Sequence, residues 1–229
     1  MGRTRLVLQE IRIEAGLRPE HRAQVALGYW SAFSRKIRYP LGPKDKAIAF
    51  IERVMDPLHA ISAISQDGEF LGVAGFKTPR GAFIGGNFDD MAQVYGWFGA
   101  IFRSLLVAAL ERDCKDNILL MDGLFVQKNA RGLGVGGMLL DAVEQYAVMN
   151  GLKRVRLDVV DSNPRARSLY ERHGFEAGVT QSMGILEPVF GFKNVTTMTK
   201  PVGGRGRSSI YRRAQTPVRI QAELRSGGC

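Results

Sequence analysis

The chain has 229 residues, 45% of them apolar, enough to bury a sizeable core as one domain with appendages. Its net charge of +10 is uneven: residues 203–229 carry six arginines (205, 207, 212, 213, 219 and 225) against Glu223, half of the total. Two distant cysteines, Cys114 and Cys229, make no disulfide framework, and no Cys/His cluster has zinc spacing, so stapled and zinc-held classes are excluded and no metal site is expected.

Met1 to Glu14 alternates apolar and charged residues without a signal-peptide core, so a cytoplasmic protein is expected. Residues 5–13 read as a first strand. Pro19 starts a helix predicted to run to about Phe33, and Lys44 to Val54 reads as a second. His59 to Ser65 and Glu69 to Phe76 flank Asp67-Gly68, a hairpin signal. The segment from Lys77 to Asn117 places Met91, Val94, Tyr95, Phe98, Ile101, Phe102, Leu105 and Ala109 at helical spacing. One long amphipathic helix with a buried aromatic stripe is expected there, inserted between the third and fourth predicted strands. Its apolar run, Trp97 to Leu110, is too short to span a bilayer and contains Arg103, so no membrane partner is expected.

A fourth strand, Ile118 to Val126, leads to Ala130-Arg131-Gly132-Leu133-Gly134-Val135-Gly136-Gly137 and then to an amphipathic helix ending at Asn150-Gly151. Glycines let a ligand approach main-chain N–H groups, and the helix N-terminus adds a positive dipole end. The loop therefore reads as an anion cradle suited to a pyrophosphate. Arg154 to Val160 is a further strand, with Val155, Leu157 and Val159 on one face and Arg154, Arg156 and Asp158 on the other. Asn163-Pro164 opens a helix that runs to Arg172, and strands follow near Phe175 to Thr180 and Val195 to Lys200. The arginine tail reads as a flexible, solvated terminus; only Tyr211 offers a stacking aromatic, so nucleic acid is not an expected partner.

Gly132-x-Gly134-x-x-Gly137 formally fits a dinucleotide fingerprint, with Asp158 about 20 residues on. Against that reading, Gln127 to Arg131 separate the strand from the first glycine, and a hairpin and two helices precede any βαβ unit. The loop lacks the Gly-Lys-Ser/Thr ending of a nucleotide P-loop.

A second motif decides between cofactors. Asn163 to Phe175 has the form N-x-x-A-x-x-L-Y-x-x-x-G-F. Together with Leu124-Phe125-Val126 and Arg131-x-x-Gly134-x-Gly136, it resembles the GNAT superfamily of acyl-CoA N-acyltransferases. The resemblance is tightest over Leu119 to Phe175, looser from residue 5 to about 202, and leaves out the tail. It implies an α/β (α+β) fold: a mixed, mostly antiparallel, splayed sheet flanked by helices over residues 1–202, with 77–117 as a helical insertion and 203–229 as a basic tail.

The resemblance also implies roles. Backbone groups of Phe125 and Val126 pair with the pantetheine arm of acetyl-CoA, the acyl donor. Arg131, Gly132, Leu133, Gly134, Val135, Gly136 and Gly137 cradle its pyrophosphate. Asn163 contacts the cofactor arm, while its residue type also suits a plain helix cap. Tyr170 is the general acid for the departing thiolate, with a core aromatic as its structural alternative. Asp122 holds a strand position where the family often carries an acid, and it is the first candidate for the base that takes the amine proton; Asp158 and Glu187 are alternatives. Neither cysteine lies near the motifs, so direct attack in a ternary complex is expected.

The expected reaction is acetyl transfer to a primary amine of a small molecule or peptide. Trp30, Phe33 and Tyr39 are candidate cleft walls. The insertion could roof the acceptor site, form a homodimer surface or enlarge the core. Asp89-Asp90 is the only tight acidic pair, so a polycationic acceptor is not favoured. Two other readings stay open: a non-catalytic acyl-CoA-binding regulatory module, and a protein- or ribosome-directed acetyltransferase recruited by the basic tail.

Overall fold

The computed structural model describes residues 10–110 and 117–203. Part of the strand expected at 5–13, both cysteines and the tail beyond Gly203 lie outside the described residues. β1 (Arg12–Ala15) leads through a 3-10 turn into α1 (Arg22–Leu41), followed by α2 (Lys44–Val54). β2 (Ala60–Ile64) and β3 (Phe70–Thr78) form the predicted hairpin, with Gly68 at φ +85° in the turn. β4 (Gly81–Ala82) folds back on β3, and α3 (Phe88–Tyr95) and α4 (Trp97–Leu110) fill the insertion. Then come β5 (Ile118–Val126), α5 (Val135–Met149), β6 (Arg154–Val160), α6 (Pro164–Arg172), β7 (Glu176–Ser182), α7 (Glu187–Phe190) and β8 (Asn194–Pro201).

The described strands form one sheet in the order β1-β2-β3-β5-β6-β8-β7, with β4 beside β3. Every pairing is antiparallel except β5 with β6, and α5 supplies the crossover that a parallel pair needs. Alternation sorts the side chains onto two faces. Leu119, Val155, Leu157 and Val159 meet Leu139, Leu140 and Val143 of α5 and Tyr170 of α6 on one face. Val73 and Phe125 meet Val25, Phe50 and Ile51 of α1 and α2 on the other.

Two helices depart from expectation. α1 runs past Phe33 to Leu41, because Ile37 and Leu41 continue its apolar spacing into the second core, and Gly42 N–H closes it on the Arg38 carbonyl at 2.8 Å. The insertion is two helices, not one. Gly96, at φ +74°, ends α3 and turns the chain before α4, a backbone state that suits glycine.

After that turn α4 docks by its small and polar side. Ala100 is buried, and Arg103 donates to the Gly42 carbonyl at 2.8 Å and the Tyr39 carbonyl at 3.3 Å. Its guanidinium also lies 4.3 Å from the Tyr95 ring centroid. A cation placed on the last carbonyls of α1 satisfies groups that the helix itself leaves open. The stripe expected in the core is therefore divided: Met91 and Tyr95 of α3 are buried, whereas on α4 Phe98 is 87% exposed, Phe102 61% and Leu105 67%, beside Trp97 at 64%. The acidic pair is also placed: Asp90 completes a capping box with Asn87 and pairs with Arg53 at 3.0 Å.

Candidate active site

β5 and β6 pair over only three steps, Ile118 with Arg154, Leu119 with Val155 and Leu120 with Arg156. Beyond Leu120 they diverge. β5 stays on β3 as far as Val126, and β6 stays on β8 as far as Val160. The sheet thus opens into a wedge whose β5 edge offers unpaired main-chain groups, the kind of edge that takes an extended ligand by strand-like hydrogen bonding.

Which groups face the wedge follows from register. Gln127 N–H donates to the Leu71 carbonyl at 2.8 Å, so that pair is hydrogen-bonded and alternate pairs down the ladder are too. Phe125 and Gly123 therefore spend their N–H and C=O on β3, while those of Leu124 and Val126 point into the wedge. Of the two residues expected to offer backbone groups, Phe125 turns its own toward β3 and Val126 faces the wedge, as does Leu124. Phe125 is instead a buried ring against Phe70, and an added Cβ on Gly28 would sit 2.4 Å from it. Alternation from Val126 was the signal that sequence reading had available for Leu124.

The glycine loop closes one end of the wedge. Gly132 and Gly134 take φ +85° and +81°, and a Cβ on either would meet nothing within 4 Å. Gly134 is the N-cap of α5, so open space lies directly before the helix N-terminus, where the first N–H groups lack intrahelical partners. This geometry fits a pyrophosphate. Arg131 is exposed beside it, with Nε 3.4 Å from the Val126 carbonyl. Leu133 is exposed too, whereas Val135 is buried beneath the helix start. Gly136 and Gly137 serve packing: a Cβ there would meet Leu169 at 3.2 Å and His173 at 3.0 Å. Gly137 N–H is already taken by the Gly134 carbonyl at 3.0 Å.

A cavity of about 830 Å³ runs between α1 and this loop, lined by His21, Phe125, Val126, Lys128 and Arg131 among others. A second, of about 440 Å³, holds both candidate carboxylates, Asp122 and Asp158, together with Tyr29 and Lys77. Asp122 is the extra residue of a β-bulge: β3 partners step from Gly123 to Met121 between Gly75 and Phe76. A bulge re-aims its side chain, here at the point where β5 leaves β6. Asp158 is held from behind, accepting from Thr197 Oγ1 at 2.8 Å and lying 3.5 Å from Arg156. Glu187, at the start of α7, lines neither cavity. Of the expected walls, Phe33 lies over Gly123, whose Cβ would fall 2.6 Å from its ring, and Trp30 packs on the second core. Tyr39 is exposed on α1, with the Arg38 guanidinium over its ring. Tyr29, which sequence reading passed over, takes the place at the acids.

On α6 the Asn163 side chain accepts from Ala166 N–H at 3.2 Å and caps the helix. Tyr170 is buried against Phe175, with ring centroids 6.0 Å apart, and lines neither cavity. Burial pushes its phenol up to about 12. Burial also raises Tyr95 to about 12, against the opposing pull of Arg103. The Tyr29 phenol is raised by burial and then by the Asp122 charge. Each phenol therefore keeps its proton through the neutral range.

The acetyltransferase (GNAT) family model matches residues 26–175. An uncharacterised N-acetyltransferase of Bacillus subtilis (strain 168), YhfO, is 36% identical over 91 residues, which are 40% of this chain and 53% of that protein. The match thus spans about half the length of that relative. An N-acetyltransferase from Staphylococcus aureus Mu50 superposes with TM-score 0.57 at 14% identity, covering 82% of this chain and 100% of that one. A GCN5-related N-acetyltransferase from Kribbella flavida superposes with TM-score 0.52 at 17% identity, covering 84% and 98%. At these identities the two structures speak for the fold alone. Among the described residues no helix is long and apolar enough to cross a membrane.

The raised phenols predict how stability responds to alkali. An unfolded chain loses these protons near pH 10, while the folded one holds those of Tyr170 and Tyr95 to about pH 12. Their contribution is full below about pH 10 and falls as pH rises through the folded value. Urea denaturation between pH 10 and 12 should show a shallower loss for Tyr170→Phe than for the wild type. Equal slopes would contradict the burial of the Tyr170 hydroxyl.

Proposed function

The chain belongs to the acetyltransferase (GNAT) family, and on that premise we propose that it transfers the acetyl group of acetyl-CoA to a primary amine of a small molecule or peptide. The observation that carries the reading is the wedge beyond Leu120, which opens beside the glycine-led N-terminus of α5. Gly132 to Gly136, with Arg131 at the rim, hold the pyrophosphate of the donor, whose thioester supplies the activated acyl carbon. Asn163 lies at the head of α6 and assists the same arm beside its capping bond. Val126 pairs with the pantetheine arm, and Leu124 N–H donates to the acyl oxygen as it gains negative charge.

The chemistry then divides between two side chains. The amine nitrogen bonds the acyl carbon as the carbon–sulfur bond breaks. The nitrogen gives up a proton to Asp122, through water where the distance requires it, and the sulfur leaves with the bonding pair. Tyr170 donates its O–H to that sulfur. Its phenol holds the proton more tightly than an ordinary thiol of pKa about 8.5, so it stabilises the departing thiolate as a hydrogen-bond donor and keeps its proton. Attack is direct, in a ternary complex. We also take the protein to act in the cytoplasm.

A second copy of this chain is the proposed occupant of the exposed face of α4. Trp97, Phe98, Ile101, Phe102 and Leu105 leave roughly 600 Å² of apolar surface in water, approaching the ~800 Å² that each partner of a stable interface buries. That is the upper end of what a monomer exposes.

Three outcomes test these readings. Tyr170→Phe should lower kcat by roughly 100-fold or more while the KM for acetyl-CoA holds, and Asp122→Asn should lower kcat/KM for the amine by roughly 100-fold or more. Full activity of Tyr170→Phe would remove it from the mechanism. In sedimentation velocity the wild type should be a dimer and Phe98→Asp with Leu105→Asp a folded monomer; a monomeric wild type would overturn the interface.

A further inference from the structure

We infer that the second copy seated on the outer face of α4 also completes the acceptor cavity, so that the amine is bound and acetylated by the dimer and poorly by the single chain. This rests on the acyl-transfer and interface readings above. α4 has two sides with different duties. Ser104, Val107 and Ala108 line the cavity of about 440 Å³ at the divergence of β5 and β6, and Phe88 and Met91 of α3 line it beside them. Trp97, Phe98, Ile101, Phe102 and Leu105 look outward. The two sides meet at Phe88, which lines the cavity and stands edge-on to Trp97 with ring centroids 5.8 Å apart.

Little else holds that wall in place. α4 packs on α1 and α3, yet among its described side chains only Ala100 is fully buried, and Arg103 adds its bonds to the Tyr39 and Gly42 carbonyls. A helix in a protein is stabilised chiefly by burying its apolar face. Here most of that face lies outside, so its burial waits on a partner, and the position of Ser104 to Ala108 goes with it. A second copy suits the face better than a bilayer does. Arg103 is the one charged residue from Trp97 to Leu110 and is turned to the end of α1, so the outer face is aromatic and uncharged. The centres of interfaces between protein copies have that composition, whereas helices that lie on membranes carry Lys and Arg beside the apolar face. A wall held in place in only about a tenth of single chains raises the apparent amine KM about tenfold, and the partner removes that factor. The donor's seat on β5 and the glycine loop takes no residue from α4, so its KM holds.

The test uses the full-length wild type and Phe98→Asp with Leu105→Asp, two side chains 87% and 67% exposed, with folding checked by circular dichroism. Dilution of the wild type gives the same comparison without a substitution. Sedimentation velocity, amide hydrogen exchange of Ser104 to Ala108, and CoA release from acetyl-CoA with hexylamine, spermidine and an alanine tripeptide are followed across protein concentration. Expected in the monomer are exchange about tenfold faster and an amine KM about tenfold higher, with the acetyl-CoA KM unchanged, and wild-type turnover per chain that rises with the dimer fraction. A monomer that matches the dimer in exchange or in amine KM overturns the coupling and leaves dimer and acyl transfer standing. Exchange that slows on dimerisation, without CoA release from any of the amines, supports the coupling and contradicts the transferase reading. A wild type that is monomeric at every concentration overturns the inference, and flotation of that monomer with phosphatidylcholine vesicles assigns the face to a membrane instead.

Discussion

The candidate site depends on one local failure of pairing in the sheet interior. β5 and β6 start as parallel neighbours, anchored by Leu119 and Val155 in the core, and separate after Leu120 and Arg156. An interior edge with open N–H and C=O groups is unfavourable unless something satisfies them. The fold keeps the wedge open because each strand is held from its other side, β5 by β3 and β6 by β8. Around that wedge stand the backbone groups of Leu124 and Val126, the carboxylates of Asp122 and Asp158, and the glycine loop.

The glycines after the wedge do two different jobs, and the division ties the anion cradle to α6. Gly132 and Gly134 supply backbone conformations and empty space at the helix N-terminus. Gly136 and Gly137 let Leu169 and His173 approach α5 closely, and so set the position of the helix that carries Tyr170. A side chain at 132 or 134 would fill the cradle. At 136 or 137 it would press on α6.

Much of this was legible in the sequence, for local reasons. The Asp67-Gly68 turn, the Asn163-Pro164 helix start and the alternation of Val155, Leu157 and Val159 encode their geometry within a few residues, and each appears where the pattern puts it. The splayed sheet followed from the family resemblance rather than from any local signal. Less legible were features set by distant contacts. The bulge at Asp122 depends on the register of β3, and the assignment of Leu124 rather than Phe125 to the wedge depends on the Gln127 bond to Leu71. Helical spacing runs straight through Gly96, so the pattern predicts one helix where a positive φ makes two. The same spacing marks an apolar stripe without saying what it faces; Met91 and Tyr95 on α3 are buried, while Arg103 turns α4 toward the end of α1 and leaves the α4 part of the stripe outside.

The central claim is that an acyl-CoA thioester lies along the open edge of β5. Amide hydrogen exchange, resolved to single residues with and without acetyl-CoA, tests it most directly. The N–H groups of Leu124 and Val126 should exchange readily in the free protein and slow on binding. Those of Gly123 and Phe125, already bonded to β3, should be slow in both states. Binding of acetyl-CoA that leaves Leu124 and Val126 unchanged would place the donor elsewhere and contradict the account.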